Sequence, residues 1–100
     1  MIEVDKFGLM KHFNRVCYKL LEEREAQIGK WGTCHHNHFK WLSILMEEIG
    51  EASRAALEMD IEQYEKEIIQ CGSICVAILE DLYNTFPNTF KQEERGKISK

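Results

Sequence analysis

Residues 68–79 read IIQCGSICVAIL, a stretch in which no side chain carries a charge. Its apolar residues recur at helical spacing, and it contains no proline. A helix that is apolar on nearly all sides is normally surrounded by neighbouring elements. We therefore expect this segment to form the central helix of an all-α protein, a helical bundle. Because two further helices give it too few neighbours, we expect oligomerisation to complete the core.

Hydrophobic periodicity predicts three helices in the chain, with bounds Val4 to Gln27, Phe39 to Glu58 and Ile61 to Tyr83. The glycines and weak helix formers of residues 28–38 predict a loop between the first two helices. Asp60 follows the second helix and is predicted to be the N-cap of the third.

The sequence predicts one domain and a tail. Residues 84–88 surround the single proline, Pro87, and are expected to end the third helix. We expect residues 1–86 to form a single helical domain and residues 87–100 to form a polar, flexible C-terminal tail.

Each predicted helix carries an apolar stripe that is expected to face the core. The stripes consist of Phe7, Met10, Phe13, Cys17 and Leu20, then Leu42, Leu45, Ile49, Ala52 and Ala56, then Tyr64, Ile68, Cys71, Cys75, Ile78 and Leu82. The last turns of the first helix, residues 22–25, are charged and are expected to be solvated.

Length and charge exclude several classes of protein. One hundred residues suffice for one small domain. The formal net charge of −4, with no basic stripe, argues against binding of a nucleic acid polymer. The sequence has neither an apolar run long enough to cross a membrane nor the layout of a signal peptide at residues 1–6, so we expect a cytoplasmic protein without membrane contact. Its four cysteines are expected to be reduced.

Two carboxylates on the second helix lie in line with residues expected to be buried. Glu48 and Glu51 are three residues apart and share a helix face, and the stripe continues through Trp41, Ile44 and Ala55. Carboxylates in such a place are costly unless a positive group or a metal ion meets them. This pattern predicts a divalent-cation site.

A second polar stripe interrupts the third helix. It consists of Glu67, Gln70, Ile74, Ala77, Asp81 and Asn84. Two antiparallel helices joined by a short turn can bring Glu48, Glu51, Glu67 and Gln70 together. Oxygen ligands of this kind suit Mg²⁺, with Mn²⁺ as an alternative. The competing interpretation is a solvated helix face whose glutamates pair with lysine or arginine.

The same residues resemble a known family. WLSILMEEIGE at residues 41–51, followed by EKEIIQ at residues 65–70, is similar to the MazG-type all-α nucleoside triphosphate pyrophosphohydrolases. That family carries Glu-x-x-Glu on one helix and Glu-x-x-Asp on the next, and these residues hold Mg²⁺. The resemblance covers residues 30–82 and implies a helical bundle of the MazG-like type, as a homodimer or homotetramer.

The resemblance implies a role for each matching residue. Glu48 and Glu51 correspond to the first metal-binding pair and Glu67 to the start of the second. The chain departs from the family at Gln70, where the family usually has Asp. A carboxamide oxygen can coordinate a cation but brings no negative charge, so Gln70 puts in doubt the number of metal ions or the activity.

Family members hydrolyse the bond between the α and β phosphates of a nucleoside triphosphate, which implies a (d)NTP substrate here. Phosphoryl transfer requires positioning and charge neutralisation. Glu47 or Glu48 is the candidate base that orients or deprotonates the attacking water. The candidate substrate contacts are Lys30, Lys40 and Arg54 for the triphosphate, and Asp81 and Asn84 along the stripe of Glu67.

The loop between the first two helices adds further candidates. Trp31 is suited to stacking on a base, although a tryptophan is more often a core residue. His35, His36 or His38 could contact phosphate or base. With Cys34 these histidines also suggest zinc, but the spacing matches no standard finger and the chain has no Cys-x-x-Cys.

Two other functions compete with the enzyme. The first is a catalytically inactive MazG-like helical oligomer that acts as a nucleotide-binding or protein-interaction module, and Gln70 is its best support. The second is a di-iron carboxylate bundle, which is disfavoured because such proteins use Glu-x-x-His pairs and this chain has none.

Overall fold

The computed structural model describes residues 11–90 and contains three helices. They are α1 (Phe13–Trp31), α2 (His38–Leu57) and α3 (Ile61–Thr85). The described residues contain no strand, so the expected all-α class is confirmed. No helix within this range is sufficiently long and apolar to traverse a lipid bilayer.

The prediction for α1 is wrong at its C-terminal end and in its continuity. The predicted start at Val4 lies outside the described residues, but residues 11–12 form a turn, so no helix runs unbroken from Val4. At the other end α1 continues to Trp31, four residues beyond Gln27. Gly29 is tolerated inside the helix, and Gly32 ends it with a φ of 73°, a conformation that favours glycine.

The bounds of α2 and α3 lie within two residues of the predicted ones. Asn37 caps α2, because its side-chain oxygen accepts a hydrogen bond of 2.8 Å from the backbone N–H of Lys40. The predicted N-cap of α3 is confirmed, since the Asp60 carboxylate accepts from the backbone N–H of Gln63 at 3.2 Å.

A tight turn reverses the chain between α2 and α3. The N–H of Asp60 donates to the carbonyl of Ala55 at 3.0 Å, and the N–H of Met59 donates to that of Ala56 at 3.1 Å. This pair of bonds is the Schellman motif, which places Met59 at the left-handed position with a φ of 59°. The turn makes α2 and α3 an antiparallel pair.

The central element is α3, since α1 and α2 each pack against it and not against each other. Small residues let α1 approach closely. A Cβ added to Gly72 would lie 2.7 Å from a methyl carbon of Leu20. The neighbouring Ser73 is fully buried, and its hydroxyl donates to the Leu20 carbonyl at 3.3 Å. Packing α1 and α2 on separate sides of α3 leaves a cleft between them.

The core of the described residues is small, and its buried residues belong to the two stripes that also carry Glu48 and Glu67. Trp41, Ile74 and Ala77 form its buried cluster, with Ile44 and Leu45 packed against them. The stripe of α2 that faces α3 is therefore the stripe that carries Glu48.

The apolar stripes predicted for α2 and α3 lie only partly in the core, where Leu45 and Ile78 pack against the buried cluster. Leu42 is 53% exposed, and Ile49, Tyr64, Ile68 and Cys75 are exposed as well. Ala52 is the only buried member of the α2 stripe. In α1, no residue is buried, and the Phe7 and Met10 part of its stripe lies outside the described residues. All four cysteines are free thiols.

Replacing Met59 with glycine is expected to stabilise the protein. A residue with a Cβ pays a cost of about 1 kcal/mol in the left-handed conformation, which glycine avoids. Met59 is exposed, so little packing is lost. Urea unfolding of Met59→Gly should show a raised free energy of unfolding, and Met59→Ala, which keeps the Cβ, should show no gain. A Met59→Gly protein no more stable than Met59→Ala would contradict the assigned turn.

Candidate functional site

Three carboxylates meet where α2 packs against α3. One oxygen from each of Glu48, Glu51 and Glu67 lies within 4.8 Å of the others. Glu48 and Glu51 come from successive turns of α2, and Glu67 comes from α3. The antiparallel pairing predicted from the sequence therefore brings these three side chains together.

The triad contains two buried oxygens that lack a hydrogen-bond partner among residues 11–90. They are Oε1 of Glu48 and Oε1 of Glu67. Glu67 as a whole is only 7% exposed, and its other oxygen accepts a hydrogen bond of 2.7 Å from the Gln63 side chain. A buried acceptor without a donor is costly, more so when it is charged. These oxygens therefore need a proton or a cation between them.

Crowding changes the protonation of the triad. Burial, and then the charge of Glu51 and contact with Glu67, raise the pKa of Glu48 from 4.5 to about 7. The charge of Glu67 is the main cause that raises the pKa of Glu51. Opposite charge would lower both pKa values, and none of the ion pairs among residues 11–90 involves the triad.

The residues of the triad fit a hard divalent cation. At a Mg–O distance of about 2.1 Å, ligand oxygens of one Mg²⁺ ion are about 3 to 4 Å apart, and the three oxygens of the triad lie within 4.8 Å of one another. All three ligands are carboxylates, the donors that Mg²⁺ and Mn²⁺ prefer. The two unpartnered oxygens supply the independent sign that something positive belongs between them.

The triad lies between two depressions. The first, the interhelical cleft, separates α1 from α2, has α3 as its floor and encloses about 540 Å³. Its walls include Gln27, Lys30 and Trp31 of α1 and Trp41, Ile44 and Glu48 of α2, and its floor includes Gln70, Ile74 and Ala77.

The second depression, the acidic groove, lies along the other side of the triad. It is lined by Glu47, Gly50, Glu51, Arg54, Ala55, Glu58, Gln63 and Glu67. A Cβ added to Gly50 would meet no atom of residues 11–90 within 4 Å, so packing among these residues does not require glycine there.

The structure separates the predicted site residues into groups. Glu48 and Gln70 border the cleft together with Lys30 and Trp31. The ammonium nitrogen of Lys30 lies 5.1 Å from the centre of the Trp31 ring. Glu47, Glu51, Arg54 and Glu67 border the groove. His38, Lys40 and Asn84 line neither depression.

Arg24 is a cleft residue that the sequence analysis missed. Residues 22–25 were expected to be solvated, yet the Arg24 side chain is only 12% exposed and lines the cleft. Glu80 of α3 holds its guanidinium with contacts of 2.9 and 2.8 Å. Because α1 continues past Gln27, its last turns become a cleft wall instead of a solvated end. Only the correct end of α1 would have revealed this.

Asp81 of α3 connects its own helix to α2 and to the loop between α1 and α2, at the end of the cleft. One of its oxygens accepts from the indole N–H of Trp41 at 2.7 Å and from the backbone N–H of His36 at 3.0 Å. The other lies 2.7 Å from Nδ1 of His35 and accepts from the Thr85 hydroxyl at 3.2 Å. Both oxygens are therefore engaged within the chain, and direct contact of Asp81 with a substrate stays a prediction.

The environment of Asp81 favours its charged form. Burial alone would raise its pKa, but the hydrogen bonds from His35, Trp41 and His36 outweigh burial and hold the pKa well below its usual range. Apart from the glutamate triad, no group of three His, Cys, Asp or Glu side chains within residues 11–90 has metal-binding geometry, so Cys34 and the loop histidines do not form such a site.

Comparisons with protein-family models, with curated proteins and with solved structures give no match to this chain. Its function is therefore inferred from the site itself.

We expect the stability of the metal-free protein to fall with pH through Glu48. A carboxyl group whose folded-state pKa is raised contributes stability that is fully present below 4.5 and is lost as the pH rises through about 7. In urea unfolding with chelator, the wild type should lose stability relative to Glu48→Gln between about pH 5 and about pH 8. The exposed Glu65, replaced by glutamine, is the control and should follow the wild type. Parallel curves for wild type and Glu48→Gln would contradict the crowded triad.

Proposed function

We propose that this protein is a Mg²⁺-dependent nucleotide pyrophosphohydrolase of the MazG-like type, which hydrolyses a (d)NTP to the monophosphate and pyrophosphate. The observation that carries the proposal is the triad of Glu48, Glu51 and Glu67, with two buried oxygens that lack a donor. It is supported by the cleft beside the triad, whose volume of about 540 Å³ is in the range of small-molecule sites.

Charge neutralisation of the phosphate oxygens is the chemistry that a Mg²⁺ ion held by the triad would supply. Gln70 borders the cleft next to Glu48 and offers a neutral oxygen as a further ligand. The reaction consumes one water, whose oxygen bonds to phosphorus as the anhydride bond breaks. Glu48 is the candidate that accepts the proton of that water; its raised pKa of about 7 belongs to the metal-free protein and would fall when a cation binds. Glu47 is the alternative base from the groove side.

The cleft walls carry groups that suit the rest of a nucleotide. Lys30 and Arg24 place positive charge on the α1 wall, where the phosphates need it, and Arg54 does so in the groove. Trp31 is mostly exposed at the edge of the cleft, and such a ring can stack on any base. Lys40, His38 and Asn84 line neither the cleft nor the groove, and their contact with a substrate stays a prediction that a second subunit would have to fulfil.

The proposed assembly is a homodimer or homotetramer that completes the bundle. Exposed apolar side chains on α2 and α3 support it, among them Leu42, Met46, Ile49, Ile68 and Leu79. A single chain leaves this much apolar surface in water at a cost that association would remove. Cytoplasmic location remains part of the proposal.

The second candidate is an inactive MazG-like oligomer that binds nucleotides or proteins. Gln70 favours it, because the cleft side of the triad carries a carboxamide where a fourth carboxylate would add negative charge. In that case the triad would bind a cation without turnover.

Pyrophosphate release from a panel of standard and modified (d)NTPs, with Mg²⁺ and with chelator, tests the proposed reaction. Glu48→Gln and Glu51→Gln should each lower kcat/KM by about a hundredfold or more, since each removes a carboxylate that acts in the transition state. Glu65→Gln lies on the neighbouring helix, makes the same charge change at an exposed position and should retain activity. Metal-independent release, or full activity in both triad variants, would refute the proposal. A folded wild type that binds Mg²⁺ without release would favour the inactive oligomer.

Restoring a carboxylate at position 70 should strengthen metal binding. Gln70→Asp adds a negative charge to the cleft side of the triad, and a further charged ligand raises affinity for a divalent cation. Calorimetric titration with Mg²⁺ should show about tenfold tighter binding or an additional bound ion than in the wild type. Gln63→Asp is the comparison variant, because it adds the same charge on the groove side of the triad. It also loses the hydrogen bond that Gln63 donates to Glu67. Unchanged affinity in Gln70→Asp would exclude Gln70 from the ligand set.

A further inference from the structure

We propose that Asp81 is a positioning residue that fixes the end wall of the interhelical cleft and thereby contributes to nucleotide binding. The proposal deepens the proposed function and rests on it for the identity of the ligand. In this proposal Asp81 does not contact the substrate directly. It holds the Trp41 indole and the backbone of the 32–37 loop in place, and these groups meet the ligand.

The first step is the geometry of the acceptor. A single oxygen, Oδ2 of Asp81, accepts from both Trp41 Nε1 at 2.7 Å and His36 N at 3.0 Å. The two donors come from α2 and from the loop, and neither belongs to the helix that carries Asp81. One carboxylate therefore ties three segments of chain together.

The second step is the strength of this connection. The Asp81 side chain is only 9% exposed, so water competes weakly for its oxygens. Hydrogen bonds to a charged acceptor are shorter and about twice as strong as neutral ones. The depressed pKa of Asp81 agrees with an ionised acceptor.

The third step connects Asp81 to the cleft. Trp41 and His36 both line the cleft, and Asp81 itself does not. Their rings make an edge-to-face contact with centroids 4.7 Å apart. Asp81 therefore sets the positions of two aromatic groups that a ligand in the cleft would meet.

The loop has little else to hold it. Of residues 32–37, His36 is half-buried and the others are exposed. Among residues 11–90, the Cys34 thiol donates hydrogen bonds only to the carbonyls of Trp31 and Gly32, at its own end of the loop. The other links from this loop to α3 pass through His35, which is itself paired with Asp81.

The matched variants are Asp81→Ala, Asp81→Asn and Thr85→Val, all in the full chain. Asp81→Ala removes every acceptor, and Asp81→Asn keeps one neutral oxygen. Thr85→Val removes a donor to Oδ1 of Asp81 and a 3.5 Å contact with the His35 side chain, but it leaves both hydrogen bonds of Oδ2, to Trp41 and to the His36 backbone, in place. It controls for a general loosening of the end of α3.

Two measurements report, without any substrate, whether His36 and Trp41 stay in place at the end wall of the cleft. Amide hydrogen exchange at His36 should accelerate by about tenfold or more in Asp81→Ala, because its acceptor is gone. In a Trp31→Phe background Trp41 is the only tryptophan, and its emission should shift to longer wavelength and become more accessible to acrylamide. Asp81→Asn should fall between, and Thr85→Val should match the parent. Unchanged exchange and emission in Asp81→Ala would overturn the proposal.

Binding and kinetics then distinguish a positioning role from a merely structural one. Asp81→Ala should weaken calorimetric binding of α,β-methylene nucleoside triphosphates and raise KM, each by about tenfold or more, with kcat and the Mg²⁺ requirement retained. A structural collapse would instead lower kcat and metal affinity together. Equal nucleotide affinity in Asp81→Ala and Thr85→Val would overturn the binding role.

The analogue also separates this proposal from the proposed function. A wild type that binds the analogue but releases no pyrophosphate would refute the proposed hydrolase activity. The role of Asp81 would then still be tested by comparing the affinity of Asp81→Ala and Thr85→Val for the analogue. A wild type that binds no analogue would overturn the role of Asp81 in nucleotide binding.

Discussion

Repulsion among Glu48, Glu51 and Glu67 is the constraint on which the α2–α3 interface depends. One oxygen from each residue lies within 4.8 Å of the others, and Oε1 of Glu48 and Oε1 of Glu67 are buried without a donor among residues 11–90. Like charges at this distance destabilise the packed state unless a proton or a cation joins them. The raised pKa of Glu48 shows the first solution, and a divalent cation is the second. The same residues that weaken the isolated fold are the ones that would hold the proposed metal ion.

The packing of α1 and of the 32–37 loop leaves the interhelical cleft open beside this triad. Small residues, Gly72 and Ser73, let α1 lie close to α3 without touching α2. Asp81 closes the far end by holding the loop and Trp41. The outcome is a cleft with carboxylates near one end, aromatic groups near the other, and Lys30 and Arg24 along the α1 wall.

Local patterns in the sequence predicted the elements that depend on local physics. The bounds of α2 and α3 and the Asp60 cap followed from periodicity and capping, and the triad followed from three-residue spacing plus a short turn. Gln63, which bonds Glu67, was missed although it lies four residues earlier on the same face.

Other features depend on which neighbour each face meets, which a single sequence does not contain. Leu42 and Ile49 looked like core, but α3 packs on the adjacent stripe and leaves them exposed. Arg24 looked solvated because its partner, Glu80, lies 56 residues away. Asp81 was predicted to contact the substrate, but its hydrogen bond to His36 spans 45 residues and depends on the path of the loop. Resemblance to the MazG-like family stays a prediction for the same reason, since it rests on the local motifs alone.

The central claim is that the three carboxylates form one divalent-cation site. Titration of the protein with Mn²⁺, followed by electron paramagnetic resonance of the free ion, tests it most directly and needs no substrate. We expect saturable binding that Mg²⁺ displaces, that is lost in Glu67→Gln, and that Glu65→Gln retains. Wild-type and Glu67→Gln proteins that bind Mn²⁺ equally would show that the triad is not the site.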